Sequence, residues 1–194
     1  MKIILFIFLF LQISSLTIHG IDVSKDQGNI NWSLVTQTKF FAIIRAGYGN
    51  NIDTDWNTNY KNAKNTDIKV GAYWVCKASS VSEAKNEAKL FLKALSGKKL
   101  EWPVYYDIEE QSIFDDNLQD SIAKAFCDVL ENSKYYCGIY SSADYLNAYF
   151  NDETKKNIQF GSHNGMLIDL FIKEYIMFGK KVLELLKVSK MKLI

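Results

Sequence analysis

The sequence predicts an α/β protein with a parallel sheet. Short apolar segments, of the length of buried strands, alternate along residues 20–140 with segments whose apolar residues recur at helical spacing. This alternation is typical of βαβ units, and right-handed crossovers leave two main architectures, an open doubly wound sheet and a closed barrel. No G-x-G-x-x-G or G-x-x-x-x-G-K-[ST] motif follows a strand, which removes the usual support for a nucleotide-binding open sheet.

Five strands are predicted from apolar runs. The second, FFAIIRA, is nearly all apolar, as expected for a strand that is covered on both faces. The fourth, WPVYYDI, carries Pro103 near its start, where a missing backbone donor is tolerated. In chain order the predicted strands are residues 20–24, 40–46, 70–75, 102–108 and 136–140.

Three helices are predicted between these strands. Residues 56–66 carry Tyr60 and Ala63 at helical spacing. Residues 82–95 follow Ser80 and begin with Ser82, and either serine is a suitable cap for a helix. Their apolar stripe comprises Ala84, Ala88, Phe91, Leu92 and Leu95. The third helix, residues 118–130, aligns Ile122, Ala125, Phe126, Val129 and Leu130.

The N-terminal residues 1–19 are predicted to be a secretory signal peptide. Lys2 is followed by an unbroken apolar run over residues 3–11 and then by small polar residues, the pattern of such a segment. The run is too short to cross a bilayer, which needs about 20 residues. We therefore expect cleavage between Ser15 and Gly20, no membrane partner, and a protein that is secreted or delivered to a lysosomal or phagosomal lumen.

Composition limits the class of protein further. A chain of 194 residues with 48% apolar content is long enough for one folded domain with a substantial core. A net charge of +1 argues against a nucleic-acid partner. The histidines are His19 and His163, and no C-x-x-C spacing occurs, so neither a metal site nor a cofactor is predicted. We expect a monomer.

The three cysteines, Cys76, Cys127 and Cys137, are candidates for disulfide bonding in a secreted protein. They permit three different single pairs, each of which leaves one thiol over. Cys127 lies in a predicted helix and Cys137 in the strand that follows, so this pair is geometrically allowed. The sequence does not choose among the three.

Acidic residues stand at the ends of two predicted strands, where the functional groups of parallel α/β folds gather. Asp22 ends the first strand, and Asp107 and Glu109 end the fourth. Because side chains alternate along a strand, Tyr105, Asp107 and Glu109 share one face, opposite the apolar residues that meet the helices. The carboxylates therefore point to the functional face of the sheet or into the mouth of a barrel.

Asp107 and Glu109 are two residues apart on one face of a strand. Repulsion between two carboxyl groups at this spacing raises the proton affinity of one and leaves the other ionised. A proton donor beside a permanent anion is what glycosidic bond cleavage requires. The alternative interpretation is that D-I-E-E is only a polar loop after a strand. Aromatic residues near the strand ends favour the interpretation as a functional site, because such rings stack on sugars. Each ring could also fill a core. These candidate binding residues are Tyr48, Trp74, Tyr105 and Tyr140.

Five segments in order resemble the family 25 glycoside hydrolases, the muramidase type of lysozyme: GIDVSKDQGNINW, FFAIIRAGYG, KVGAYWV, WPVYYDIEE and YYCGIYSS. The resemblance covers residues 20–160 and implies an irregular (β/α) barrel that hydrolyses the β-1,4 bond between N-acetylmuramic acid and N-acetylglucosamine of peptidoglycan. It implies that Glu109 is the general acid and Asp107 the partner carboxylate that stabilises the sugar cation or positions the substrate's acetamido group. Asp22 corresponds to the acid that supports the site electrostatically.

The resemblance ends at about residue 160. Residues 161–194 form a divergent apolar segment with helical spacing and no tryptophan, the product of a shifted reading frame, an altered splice or a genuine replacement. A barrel without its closing strands is incomplete and exposes edge backbone groups. Three hypotheses follow: an active lysozyme, a catalytically impaired protein that still binds peptidoglycan, or a product without function.

Overall fold

The computed structural model of the chain describes residues 19–109, 116–152, 154 and 159–161. The predicted signal peptide, apart from its last residue, lies outside the described residues. So does the C-terminal segment after residue 161.

The described residues form an α/β fold on one mainly parallel sheet, as the sequence predicts. The strands are β1 (Gly20–Val23), β2 (Phe41–Tyr48), β3 (Asn51–Ile52), β4 (Lys69–Val75), β5 (Val104–Asp107), β6 (Cys137–Tyr140) and β7 (Gln159–Gly161). The helices are α1 (Trp32–Val35), α2 (Trp56–Lys64), α3 (Val81–Leu95), α4 (Asp116–Asn132) and α5 (Ala143–Tyr149). A 3-10 turn, Lys25–Gln27, follows β1.

The sheet order is β1-β2-β4-β5-β6-β7, with every neighbouring pair parallel, and β3 adds to β2 as a short antiparallel strand. Among the described strands, β1 and β7 do not pair with each other, so the sheet is open at these two edges. The predicted α/β class is confirmed, and this part of the chain forms an unclosed portion of a barrel-type sheet. Within it, no helix combines the length and apolar character needed to cross a membrane.

All five predicted strands and all three predicted helices are present, with ends that differ by one or two residues. The fourth strand begins at Val104 because Pro103 has no N–H to give to the ladder. Ser80 is the cap of α3: its hydroxyl accepts a hydrogen bond from the Glu83 N–H at 3.2 Å. The shortest elements, α1 and β3 among them, are not predictable from the sequence because one helical turn or two paired residues leave no periodic pattern.

The main core lies between the sheet and helices α3 and α4. Phe91 of α3 packs on Trp74 of β4, with ring centroids 5.5 Å apart, and on Phe126 of α4 at 6.0 Å. Tyr106 of β5 stacks on Phe126 at 3.6 Å. These side chains define the helix face of the sheet, and each is almost completely buried. Burial of one such ring stabilises the fold by about 2–3 kcal/mol.

A buried glutamate of α3 fixes the end of two strands against the helix. The Glu87 carboxylate accepts hydrogen bonds from the Tyr106 hydroxyl at 2.8 Å and from the Lys77 N–H, just after β4, at 3.1 Å. The Cys76 N–H in turn donates to the Asp107 carbonyl at 2.8 Å. The backbone at the carboxyl ends of β4 and β5 is therefore held in place from the helix side.

A bulge in β2 sets the orientation of the residues at its carboxyl end. Pairing with β4 shifts between Arg45, opposite Tyr73, and Gly47, opposite Trp74. The extra residue returns Tyr48 to the same face as Arg45. Gly47 is required here, because a Cβ at this position would lie 2.3 Å from the Trp74 ring and 2.5 Å from the Asn51 carbonyl oxygen.

Candidate active site

The three predicted acids come together on one face of the sheet, opposite the helix face, which we call the site face. Asp22 of β1 aligns with Ile43, two residues before Arg45, and Asp107 ends β5 on the same face. Glu109 follows two residues after Asp107 and is exposed, as is Asp22. Both carboxylates act electrostatically on Asp107, so the three acids share one local environment.

Asp107 is the carboxyl whose proton affinity this environment changes most clearly. Burial, and then the neighbouring charges of Glu109 and Asp22, raise its pKa from 3.8 to about 8. Arg45 and Lys77 act in the opposite direction without cancelling the effect. Its Oδ1 atom is buried and accepts no hydrogen bond from the described residues. Asp107 therefore holds a proton near neutral pH.

This result refines the prediction made from the pair of acids. Of two close carboxyls, one was expected to gain proton affinity, and this rise falls on Asp107, the inner member of the pair. The physical reason is that Asp107 is largely buried, because burial disfavours the charged form of a carboxyl group.

Three of the four predicted aromatic residues also lie on the site face. Tyr48, Val75, Asp107 and Tyr140 form one row across β2, β4, β5 and β6. Tyr105 precedes Asp107 on the same face of β5 and is 4% exposed. Burial raises the pKa of the Tyr140 hydroxyl, and the negative charges of the three acids act in the same direction. In this row Tyr140 is next to Asp107 on one side, and Tyr48 lies beyond Val75 on the other.

The structure places Trp74, the fourth predicted aromatic residue, away from the site face. Its ring belongs to the helix face, is completely buried, and packs on Phe91. Its indole N–H donates to the Gly49 carbonyl oxygen at 3.1 Å. With both faces and the polar edge of the ring occupied inside the protein, no surface is left for a sugar.

Tyr73, the residue before Trp74, occupies the position that the sequence analysis gave to the tryptophan. It pairs with Arg45 on one side and with Tyr105 on the other, on the site face. Burial raises the pKa of its hydroxyl, and Asp22 and Asp107 act in the same direction against the effect of Arg45. Strand alternation alone could have found it, because Trp74 shares the face of the apolar residues Val70 and Ala72.

Arg45 is the second site-face residue that the sequence analysis passed over. Its Nε atom donates to Asp53 Oδ2 at 2.7 Å, and Nη2 donates to Asp26 Oδ2 at 2.9 Å. Asp53 is buried and also accepts from the Asp55 N–H at 2.9 Å. The guanidinium carbon lies 5.6 Å from the centroid of the Tyr48 ring. The signal was present, because Arg45 is the single arginine of the chain and interrupts an apolar strand.

The charge arrangement favours acid-base chemistry on a polar ligand. Within the residues that the structure describes, no group of three or more histidine, cysteine, aspartate or glutamate side chains is placed to hold a metal ion. The site instead offers one protonated carboxyl, two exposed carboxylates and several tyrosines on one face. These groups can deliver a proton to a leaving oxygen and stabilise positive charge on a sugar ring.

Comparisons with known proteins identify the family of the chain. Residues 21–161 match the sequence profile of the glycosyl hydrolases family 25. Over 105 residues the chain is 33% identical to the uncharacterized protein YegX of Escherichia coli strain K12. This match covers 50% of this chain and 38% of YegX. Over 67 residues it is 43% identical to lysozyme M1 of Streptomyces globisporus, and this match covers 34% of this chain and 23% of the lysozyme.

A solved structure shares the fold. The modular autolysin LytC from Streptococcus pneumoniae, determined in complex with a synthetic peptidoglycan ligand, matches with a TM-score of 0.62 at 24% identity. The match covers 67% of this chain and 33% of LytC. The chain spans 38% or less of the length of the curated relatives named above.

Proposed function

Because the chain belongs to glycosyl hydrolase family 25, we propose that it is a secreted lysozyme. Its substrate is bacterial peptidoglycan, in which it hydrolyses the β-1,4 bond between N-acetylmuramic acid and N-acetylglucosamine. An enzyme of this kind, released to the outside or into a lysosomal or phagosomal lumen, acts in antibacterial defence and in the breakdown of cell walls. The protein works as a monomer without a cofactor.

The observation that carries this proposal is the position of Asp107, Glu109 and Asp22 on one face of the sheet, where the pKa of the buried Asp107 is raised. Cleavage of a glycosidic bond needs one carboxyl that donates a proton and one carboxylate that stabilises the positive charge developing on the sugar. A pair that holds a single proton meets both needs at once. The burial of Asp107 and the charges of Glu109 and Asp22 explain why the pair keeps one proton near neutral pH.

The proposed step moves this proton outward: Asp107 passes it to Glu109, and Glu109 donates it to the leaving glycosidic oxygen. Asp107 becomes the carboxylate that stabilises the sugar cation or positions the acetamido group. Asp22 adds negative charge on the same face and strengthens this stabilisation.

The aromatic side chains of the site face supply the binding surface in this proposal. Tyr48 and Tyr140 lie in the same row as Asp107 and stack on sugar rings, and Tyr105 supports the floor of the site between them. Tyr73, next to Arg45 and Tyr105, adds a hydroxyl that contacts the glycan near the acids. Trp74 takes no part, because it is buried on the helix face.

The test measures release of reducing ends and loss of turbidity with purified protein on peptidoglycan. Glu109→Gln keeps the shape of the side chain but removes the transferable proton, so activity is expected to fall at least about 100-fold. Glu131→Gln is the matched control, because Glu131 is exposed near the end of α4, away from the carboxyl ends of the strands. Equal activity of the Glu109→Gln variant and the wild type would show that the acid is another group.

A second candidate function rests on the open sheet. Because β1 and β7 do not pair among the described strands, these strands leave the site without a wall on one side. A protein with an incomplete wall binds the glycan through its tyrosines without cutting it. Sedimentation with insoluble peptidoglycan, in the absence of any released reducing ends, would favour this function over hydrolysis.

A further inference from the structure

Two of the three cysteines meet inside the protein, away from the site face. Cys127 lies in α4 and is 3% exposed, and Cys137 begins β6 and is 2% exposed. Their sulfur atoms are 2.7 Å apart. This separation is closer than ordinary packing of two thiols and approaches the length of a disulfide bond, about 2.05 Å.

The chain between them is shaped to bring the two residues together. Helix α4 ends at Asn132, and the backbone reverses through a turn in which the Tyr135 N–H donates to the Leu130 carbonyl at 3.1 Å. Lys134 in this turn has a φ of 69°, a left-handed conformation that side chains rarely adopt. This turn lets the chain reverse from the helix into β6, and Cys137 at the start of β6 then lies beside Cys127.

We propose that Cys127 and Cys137 form a disulfide bond that joins α4 to β6 in the oxidised protein. The two thiols give up two protons and two electrons. The oxidant is a low-molecular-weight disulfide: one cysteine thiolate attacks it and releases one thiol, and the second cysteine then displaces the other thiol from the mixed disulfide. The products are the intramolecular bond and two molecules of the small thiol.

Cys76 is the cysteine that stays reduced. Its sulfur contacts the Ala78 carbonyl oxygen at 3.9 Å, after the end of β4, on a different element from the other two. Cys76 is buried like the other two cysteines, but neither of the other two sulfurs is its contact. This assignment explains the odd number of cysteines, because one pair closes and the third residue is a buried apolar side chain.

The bond is expected to form during folding and to be protected afterwards. Burial and the neighbouring Cys127 raise the pKa of the Cys137 thiol well above its ordinary value, so exchange in the folded state is slow. The cross-link closes a short loop, and its effect on the unfolded chain lowers the unfolding equilibrium constant about 100-fold. The cross-link reinforces β6, which lies between β7 and the strand that carries Asp107, β5.

Trypsin separates the three cysteines, which makes the test direct. Cleavage after lysine places them on peptides 70–77, 125–134 and 135–155. The full chain is refolded in a buffer of reduced and oxidised glutathione, quenched with acid, alkylated after denaturation, digested and analysed by mass spectrometry. We expect peptides 125–134 and 135–155 to be linked, with a loss of two hydrogen atoms, and peptide 70–77 to be alkylated.

Two outcomes overturn the proposal: a linked species that contains peptide 70–77, or full alkylation of all three peptides at equilibrium with oxidised glutathione. A second measurement does not depend on the peptide map. Dithiothreitol should lower the urea midpoint of the wild type and of Cys76→Ser, but should leave that of the Cys127→Ser, Cys137→Ser double variant unchanged. An equal response of the double variant and the wild type to the reductant would also contradict the disulfide.

Discussion

The proton of Asp107 is a property of one residue with consequences for both stability and activity. The carboxyl is largely buried beside two other acids, and its pKa rises from 3.8 to about 8. In the unfolded chain the same group titrates near its ordinary value, so the folded protein binds more protons between about pH 4 and pH 8. The contribution of this group to stability is therefore complete at low pH and is lost as the pH rises through this range.

Asp107→Asn tests this directly, because the amide has no charge to bury. We expect the variant to gain several kcal/mol of unfolding free energy over the wild type at pH 8, on the order of 5 kcal/mol for a pKa difference of about four units, and less than about 1 kcal/mol at pH 4. Urea denaturation at the two pH values measures the difference. Asp67→Asn, which removes an exposed carboxylate before β4, serves as the control and should show no such gain. A gain for Asp107→Asn that is equal at both pH values would contradict the assignment of the proton.

The contrast between Tyr73 and Trp74 also belongs to the residue scale. Tyr73→Phe removes a hydroxyl from the site face and is expected to lower kcat/KM on peptidoglycan about 10-fold, with stability changed by less than about 0.5 kcal/mol. Trp74→Phe is expected to affect stability instead. It opens a cavity beside Phe91 and removes the hydrogen bond to the Gly49 carbonyl oxygen, which lowers the unfolding free energy by about 1–3 kcal/mol. Urea denaturation and the reducing-sugar assay on both variants separate the two roles. Equal losses of activity would place both side chains in the site.

Helix α3 connects the core to the acids at the scale of secondary structure. Its Glu87 side chain holds the backbone after β4, and Lys77 there acts on the pKa of Asp107. The start of the helix is fixed by Ser80, whose hydroxyl accepts from the Glu83 N–H. The helix cap therefore bears on the position of a charge close to the site.

Ser80→Ala is expected to lower the unfolding free energy by about 1 kcal/mol, the usual cost of losing such a cap. Ser82→Ala is the matched variant within the same turn, and we expect its effect to stay within about 0.5 kcal/mol because Ser82 is not the capping residue. Urea denaturation of the two variants decides between the serines that the sequence left as alternatives. A larger loss for Ser82→Ala would show that α3 begins later than in this structure.

The fate of the N-terminal segment is a prediction for the whole molecule, and it follows from the charge and apolar pattern of residues 1–19. Expressed in a secreting eukaryotic host, the chain is expected in the medium with a new N-terminus between residues 16 and 20. N-terminal sequencing of the released protein measures this. A chain that starts with Met directly before residue 20 is the control and should stay inside the cells. Secreted protein that still carries Lys2 would contradict the signal peptide.

At the scale of the molecule, much of the fold and part of the site followed from local patterns. Alternation along β5 placed Asp107 on the face opposite Tyr106, and the structure confirms it. The same rule applied to β4 would have exchanged Trp74 for Tyr73. Nearness to the end of the strand could not distinguish Trp74 from Tyr73, because both are large aromatic residues near the end of β4 and only the face of the sheet differs.

The sequence by itself determined the class of fold, the order of strands and helices, and the elements that carry Asp22, Asp107 and Glu109, because these follow from residue periodicity and strand length. Only the tertiary structure decided which carboxyl keeps the proton, how the bulge after Arg45 turns Tyr48 toward the site, and which cysteines meet. Each of these depends on burial or on contacts between residues far apart in the chain, and a pattern of neighbours in sequence contains neither.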